Sequence, residues 1–208
     1  TWAGGVDYYN EYSQKFRFHN PSLIGGNLKC IVGAMLETDN HIYFATEGAG
    51  LLEWDKQKET FYTYSLFSGH DEIYNRNSLK SLYLDGDKLL CGTNTGSIYA
   101  FDFQTHRFSL YYDLGVGDPI YYMGRNSLGD LMIGNVNDWK GLVFLSKDGR
   151  AKESFAVSGR KMQQFANVRC LLEVEPERYL IGTRNDGLFD YNAKTEELTQ
   201  YKREADTY

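Results

Sequence analysis

The segment TRNDGLFDYN, residues 183–192, decides the fold because variants of it recur along the whole chain. The other copies are TWAGGVDYYN from Thr1, TEGAGLLEWD from Thr46, TNTGSIYAFD from Thr93 and a degraded NDWKGLVFLS from Asn137. Aligned on their fifth residue, the copies form one column of Gly5, Gly50, Ser97, Gly141 and Gly187. A period of about 45 residues, combined with strand-like patterns, indicates an array of small sheets.

Each full copy of the repeat contains four short strand patterns joined by turn residues. In the second copy they cover residues 29–36, 41–46, 51–55 and 60–65. No helical period extends over more than about ten residues. This combination favours an all-β fold, a β-propeller in which each copy is one four-stranded antiparallel blade. A β-solenoid is the alternative, although solenoid repeats are usually shorter.

The strand count predicts a partial propeller of about four and a half blades. The first copy supplies only two strands, a half blade over residues 1–20. The full blades are predicted at residues 28–66, 78–112, 119–157 and 167–202. Because the chain starts inside a repeat and ends without two further strands, we expect an open arc excised from a larger protein.

Three columns of the repeat have predicted structural roles. The glycine column should occupy a tight turn that requires a positive φ or a close backbone approach. The Asp or Asn that ends the third strand should accept hydrogen bonds from the following turn; these residues are Asn10, Asp55, Asp102 and Asn192. The aromatic residues just before them should pack between blades; they are Tyr9, Trp54, Phe101 and Tyr191.

The composition limits the partners of this chain. Its 208 residues are 42% hydrophobic and 24% charged, as in an ordinary globular protein. The formal net charge of −6 argues against nucleic acid binding and against attraction to anionic membranes, and no apolar run reaches the length of a membrane span. Cys30, Cys91 and Cys170 each lie in an apolar run and are predicted to be buried free thiols.

No sequence pattern indicates catalysis, a metal or a cofactor. A nucleophile elbow, a phosphate-binding loop and a His-Glu metal motif are absent from the sequence. Acidic pairs such as Asp71-Glu72 and Glu196-Glu197 lie in predicted turns, where solvated carboxylates are expected. We therefore expect a non-enzymatic fragment.

Two sets of residues are candidate ligand contacts. Lys29, Lys80 and Arg169 share one place in successive inner strands, and Tyr121 takes that place in the fourth copy. A propeller would arrange them around one mouth of its central channel, to hold an acidic sugar or bridge to a partner domain, unless each simply extends to solvent. The second set lies on the long loops 65–77 and 157–167 and on nearby turns, where propellers usually bind. It comprises His70, Tyr74, Arg76, Arg125, Trp139, Arg160 and Gln164.

The repeat resembles the two-component regulator propeller repeat. That pattern runs roughly as Asp-x-x-Gly-x-Leu-Trp-Ile-Gly-Thr, a short gap, Gly-Gly-Leu, then an aromatic residue and Asp. Here it reads LDGDKLLCGTNTGSIYAFD from Leu84 and ERYLIGTRNDGLFDYN from Glu177, and NSLKSLYLD from Asn77 looks like the family's inner strand. The resemblance covers essentially the whole chain, with departures at Ser97 and at the VNDWK insertion, residues 136–140.

The resemblance implies a segment of the extracytoplasmic sensor of a Bacteroides-type hybrid two-component system, in which a histidine kinase and a response regulator share one inner-membrane protein. Such sensors respond to oligosaccharides in the periplasm. The implied partners are an oligosaccharide, neighbouring propeller or immunoglobulin-like domains of the parent, and a second protomer of a homodimer. Two alternatives stay open: a protein-interaction scaffold without a direct ligand and, less favoured, a propeller polysaccharide lyase or glycosidase.

Overall fold

The computed structural model describes residues 6–10, 15–19, 31–67, 77–153, 155–162 and 165–202. Within these ranges there is no helix long and apolar enough to cross a membrane. The chain divides into two compact units, Thr1–Gly117 and Asp118–Tyr208.

The described part of the first unit forms one two-stranded and two four-stranded antiparallel sheets. The two-stranded sheet pairs β1 (Val6–Asn10) with β2 (Lys15–His19). The next sheet contains β3 (Ile31–Glu37), β4 (His41–Glu47), β5 (Gly50–Asp55) and β6 (Thr60–Tyr64). The third contains β7 (Leu79–Asp85), β8 (Lys88–Thr93), β9 (Ser97–Asp102) and β10 (Arg107–Asp113).

The described part of the second unit has two four-stranded sheets and one hairpin. The first sheet contains β11 (Ile120–Arg125), β12 (Leu131–Asn135), β13 (Leu142–Leu145) and β14 (Ala151–Lys152). The hairpin pairs β15 (Phe155–Val157) with β16 (Arg160–Met162). The last sheet contains β17 (Val168–Glu175), β18 (Arg178–Thr183), β19 (Leu188–Asn192) and β20 (Glu197–Tyr201).

These four four-stranded sheets confirm the fold that the repeat predicts. In each sheet the strands follow one another in chain order and pair antiparallel with their neighbours. Such meandering sheets, repeated along the chain, are the blades of a β-propeller fragment. The chain is therefore all-β, and its repeats are blades.

In the first unit, the core lies between the two four-stranded sheets. Their shared cluster comprises Tyr43, Ala45, Leu51, Leu79, Leu89, Cys91 and Phe101. Phe101 is fully buried, and its ring centroid lies 4.9 Å from that of Tyr64 on the other sheet. Full burial of such a side chain contributes about 1.5–3 kcal/mol. The aromatic column thus packs between blades at Phe101, as predicted.

In the second unit, an equivalent core joins its two four-stranded sheets and the hairpin. The cluster comprises Met132, Leu142, Phe144, Phe155, Phe165, Val168, Leu171, Tyr179, Ile181 and Tyr191. Phe144 meets Tyr179 of the other sheet with ring centroids 5.1 Å apart. The Tyr191 hydroxyl donates to the Ala156 carbonyl oxygen at 3.0 Å, so this aromatic residue also packs on a neighbouring element.

The acidic or amide residue that ends the third strand organises the next turn in three sheets. Asp55 Oδ1 accepts the backbone N–H groups of Gln57 and Lys58 at 3.0 and 2.9 Å. Asp102 and Asn192 accept from the residues two and three positions later in the same way. This confirms the predicted turn role at these three residues, whereas the side chain of Asn10 lies outside what the structure describes. Four residues after each of these three, the chain has a positive φ at a residue that is not glycine, namely Glu59, His106 and Glu196.

The glycine column is held by two separate constraints at Gly50 and Gly187. Their φ angles are 78° and 77°, in the left-handed region that glycine favours. A Cβ at Gly50 would also lie 2.3 Å from the Tyr64 carbonyl oxygen, and one at Gly187 would lie 2.2 Å from that of Tyr201. Ser97 is tolerated in this column because the preceding residue, Gly96, takes the positive φ instead.

The structure corrects the sequence analysis near residue 155. A single strand was expected from Ala151, followed by a loop over 157–167. Instead β14 ends at Lys152, and β15 forms a hairpin with β16. Ser158 and Gly159 make the two-residue turn, with φ angles of 50° and 72°. Two positive φ angles suit the twist of a tight hairpin, so this Ser-Gly pair was a turn signal.

The cysteines also differ from expectation. Cys91 is fully buried, and burial raises the pKa of its thiol, as expected for a core residue. Cys170 is exposed, so the expectation of a buried thiol is wrong there. It lies on β17, where Leu172 is also 59% exposed. An apolar run in an inner strand therefore did not guarantee burial. Cys30 lies outside the described residues.

We predict that Gly50→Ala destabilises the protein more than Gly115→Ala. Both positions have a positive φ, but nothing lies within 4 Å of a Cβ at Gly115. The control should therefore lose about 1–2 kcal/mol from backbone strain alone. Gly50→Ala adds the clash with Tyr64 and should lose about 3 kcal/mol or more. Urea unfolding of both variants measures the difference, and equal losses would contradict the second constraint.

We predict that Asp55 stabilises the fold above about pH 4 and that this contribution disappears near pH 2. Hydrogen bonding to the Lys58 side chain, followed by backbone donors, lowers the pKa of Asp55 to about 2. Because the folded-state pKa is the lower one, stability falls as pH drops through it. Asp55→Asn should therefore be less stable than wild type at neutral pH and match it near pH 2.

Urea titrations at several pH values would measure that convergence. Lys58→Gln is the matched control, since it removes the largest cause of the lowered pKa and leaves the backbone donors. It should show a weaker pH dependence than wild type. A difference between wild type and Asp55→Asn that does not change with pH would contradict the prediction.

Candidate functional site

Only some of the predicted ligand contacts lie in the described part of the chain. Lys29, His70, Tyr74, Arg76 and Gln164 lie outside it, and Arg160 begins β16. Of the others, Lys80 belongs to the first unit, whereas Tyr121, Arg125, Trp139 and Arg169 belong to the second.

The inner-strand column makes protein contacts in both units. In the first unit, Lys80 on β7 forms an ion pair with Glu47 at the end of β4. In the second, the guanidinium carbon of Arg169 lies 3.7 Å from the centroid of the Tyr121 ring. An arginine at that distance stacks on the aromatic face. The structure therefore brings Tyr121 and Arg169 together, and ligand contact by the column stays a prediction.

The other two candidates lie on turns. Arg125 Nη1 donates to the carbonyl oxygen of Gly129 at 2.6 Å and so braces the turn between β11 and β12. Trp139 is 73% exposed on the VNDWK insertion. Asn137 Oδ1 shapes that insertion by accepting the N–H groups of Trp139 and Lys140, both at 2.8 Å. Their contact with a ligand also stays a prediction.

A cleft of about 930 Å³ opens between the two four-stranded sheets of the first unit. It lies where the turns after β3, β5, β7 and β9 meet. Successive strands run in opposite directions, so this is the opposite end of the blades from the turns after β4 and β8. None of the predicted contact residues that the structure describes lines the cleft.

One wall of the cleft is a row of side chains across β4, β5 and β6. Tyr43, Glu53 and Tyr62 are directly opposite one another in the strand register, so their side chains share one face. The row before it, through Leu51, belongs to the buried contact between sheets. The row after it places His41 opposite Asp55. The wall therefore changes from apolar to polar over two residues of each strand.

Glu53 is the centre of a buried polar network on this wall. Its side chain is only 9% exposed. The Tyr64 hydroxyl donates to Glu53 Oε2 at 2.6 Å, and His41 Nε2 lies 3.3 Å from Oε1. Burial, together with the neighbouring Glu53 carboxylate, raises the pKa of Tyr43 and of Tyr64. Both phenols thus remain protonated at neutral pH and can donate to the carboxylate or to a ligand.

The facing wall comes from the turns of the β7–β10 sheet. Phe103 lies with its ring centroid 5.5 Å from that of Tyr43, and His106 lies 5.1 Å from Tyr64. Aromatic rings from both sheets therefore meet in the cleft. Asp102 is held at the edge of this wall by its turn bonds, and Asp87 lies in the turn between β7 and β8.

The repeat alignment contained a signal for this cleft that was not used. Glu53 occupies the position held by Ala100 in the next copy and by Phe144 in the one after. Both of those residues are buried, at 6% and 4% exposure. The last copy has Asp190 at this place. A column that holds an acidic residue in some copies and a buried apolar one in others marks a position whose chemistry the fold does not require.

No family model and no curated protein matches the chain. Among solved structures, the extracellular domain of the hybrid two-component system BT3049 from B. thetaiotaomicron matches with a TM-score of 0.68 and 19% identity over 93% of this chain and 24% of that one. Two structures of the extracellular domain of BT4673 from the same organism match with TM-scores of 0.67 and 0.64 and identities of 20% and 16%. In the first of these matches, 95% of this chain aligns with 25% of the BT4673 structure, and in the second, 99% of this chain aligns with 33%.

The chain thus spans about a quarter to a third of the length of these structures. At such identities, the likeness shows the fold. The propeller blades of this chain are similar to those extracellular domains, and hybrid two-component systems are also the proteins that its repeats resemble.

Proposed function

We propose that this chain is a ligand-detecting segment of the periplasmic sensor of a hybrid two-component signalling protein, and that it binds an oligosaccharide in the cleft of its first unit. The observation that carries the proposal is the cleft itself, with aromatic rings and hydrogen-bonding groups on both walls. In this proposal the fragment is not itself an enzyme, and any kinase activity belongs to the parent protein.

The cleft suits a sugar in size and in chemistry. Its volume of about 930 Å³ is in the range of pockets that enclose small ligands. Sugars present apolar C–H faces that stack on aromatic rings and hydroxyl groups that bond to polar side chains. Tyr62 and Phe103 offer rings, while His41 and Glu53 offer polar atoms beside them.

Binding fits the arrangement of carboxylates better than catalysis does. Asp55 and Asp102 each accept bonds from the backbone of their own turns. Glu53 accepts a hydrogen bond from the Tyr64 hydroxyl at 2.6 Å. A glycosidase needs a pair of carboxyl groups free to exchange protons with substrate. These groups instead hold structure and offer acceptors.

The resemblance of the repeats supports a role in signalling. Proteins with this repeat place it in the extracytoplasmic region, and the matched solved structures are extracellular domains. We infer the same location here. The neighbouring domains of the parent, or a second protomer, would receive the effect of ligand binding.

We predict that Tyr62→Ala weakens oligosaccharide binding about tenfold, because one sugar–aromatic stack is worth about 1–1.5 kcal/mol. Isothermal titration calorimetry against a panel of neutral and charged oligosaccharides measures this loss. Tyr111→Ala is the matched control, since Tyr62 and Tyr111 are equally exposed, at 38%, and only Tyr62 lines the cleft. The control should bind as wild type does.

Lys80→Ala separates the cleft from the inner-strand column. If the ligand lies in the cleft, this variant should keep wild-type affinity. If Lys80→Ala loses binding and Tyr62→Ala keeps it, the ligand binds at the inner-strand column and not in the cleft. Absence of binding to every saccharide of a broad panel would overturn the sensor proposal and favour an interaction scaffold.

A further inference from the structure

The acidic group at the base of the cleft differs from its equivalents in the other sheets. Ala100 and Phe144 occupy its place in two of them, and Asp190 does so in the last. Asp190 is neutralised by Arg178, with one bond of 3.1 Å to Nε and one of 2.8 Å to Nη2. In the last sheet, the carboxylate at this place is therefore paired with a permanent cation.

Glu53 has no such cation. Among the described residues, only His41 comes within ion-pair distance of it, and a histidine is charged only when protonated. The nearby ammonium of Lys58 is bound to Asp55 at 2.8 Å instead. A carboxylate that is nine-tenths buried without a fixed positive partner is costly, even when hydroxyl groups donate to it. The Tyr64 hydroxyl and His41 are the neighbours of the Glu53 carboxylate at 2.6 and 3.3 Å, and neither is a permanent cation.

The remaining lining has the same sign. Asp55, Asp87 and Asp102 also border the cleft, and Lys58 is its one lysine or arginine among the described residues. Rings of Tyr62 and Phe103 lie beside these carboxylates. Carboxylates flanked by aromatic faces are the chemistry that holds an ammonium group.

The protein's own lysine shows that the cleft accepts such a group. Lys58 Nζ contacts Asp55 Oδ2 and lies 5.8 Å from the centroid of the Tyr62 ring. Its side chain is 67% exposed, so it covers only the rim. Glu53, deeper in the wall, is not reached by this ammonium, which is bound to Asp55 instead.

We infer that the cleft binds a ligand with a primary ammonium group and that, in the proposed sensor, this ligand is an oligosaccharide of amino sugars. That the ligand is a sugar rests on the proposed function, whereas its positive charge is inferred from the residues that line the cleft. The ammonium bonds to Glu53, and the sugar ring stacks on Tyr62. Uronic acid and sulfated sugars are rejected, because their charge would face four carboxylates.

The test compares two trisaccharides that differ only in charge: a glucosamine trimer and its fully N-acetylated form. Calorimetry at about pH 6.5 keeps a large share of the amino groups protonated. The glucosamine trimer should bind wild type at least tenfold more tightly, and a glucuronate-containing trimer should not bind. Raising the salt concentration should weaken the first interaction only.

Glu53→Gln should lose that tenfold preference, while its amide oxygen still accepts from Tyr64. Glu175→Gln is the matched control; Glu175 is 65% exposed, belongs to the second unit and lies outside the cleft. It should bind as wild type does. If Glu53→Gln does not fold, Asp87→Asn in the cleft's turn should reduce the preference about threefold.

The outcomes separate the two claims. Equal affinity for the charged and N-acetylated trimers overturns the ammonium site and leaves the sensor proposal standing. A second outcome is that no saccharide binds but a simple diamine such as putrescine does, and that Glu53→Gln abolishes its binding. This outcome supports the ammonium site and overturns the assignment of the ligand as a sugar. Failure of every probe overturns both.

Discussion

Burial between successive sheets is the constraint on which the rest of this structure depends. A four-stranded sheet of short strands cannot bury its own apolar faces, so each blade must pack on the next. In the first unit this contact centres on Leu51, Leu89 and Phe101, and in the second on Leu142, Ile181 and Tyr191. The positions of the turns follow from the same constraint, because each strand ends where its contact with the neighbouring sheet ends.

The cleft is where this packing stops. The row of side chains through Leu51 is apolar and closed, whereas the next row, through Glu53, is polar and open. A single strand therefore serves both purposes, since its alternate residues on one face are two positions apart. The rigidity that the buried row gives to β5 also fixes Glu53, Tyr43 and Tyr62 relative to one another, as a preorganised binding wall requires.

The repeat pattern predicted the features that every copy shares. The strand order, the turn bonds of Asp55 and Asp102, and the glycine at the second turn recur because the same backbone recurs. The sequence analysis failed where one copy departs from the others. Among the described residues, the Ser158–Gly159 hairpin occurs in one copy alone, and Cys170 is exposed although its apolar run matches buried ones. Glu53 was not predicted because its column has no shared chemistry: it holds Ala100 and Phe144 in two other copies and Asp190 in the last.

The non-glycine residue with positive φ in three of the third turns, at Glu59, His106 and Glu196, has a consequence for how such a protein can change. A non-glycine residue in the left-handed region costs about 1–2 kcal/mol, least for Asn and Asp and most for β-branched residues. Glu59, His106 and Glu196 show that this turn nevertheless accepts residues other than Gly, Asn and Asp. At His106 that position faces the cleft. A substitution at this position could alter which ligand the cleft recognises while the backbone of the blades is kept. Ligand specificity could therefore change in evolution without a change of fold.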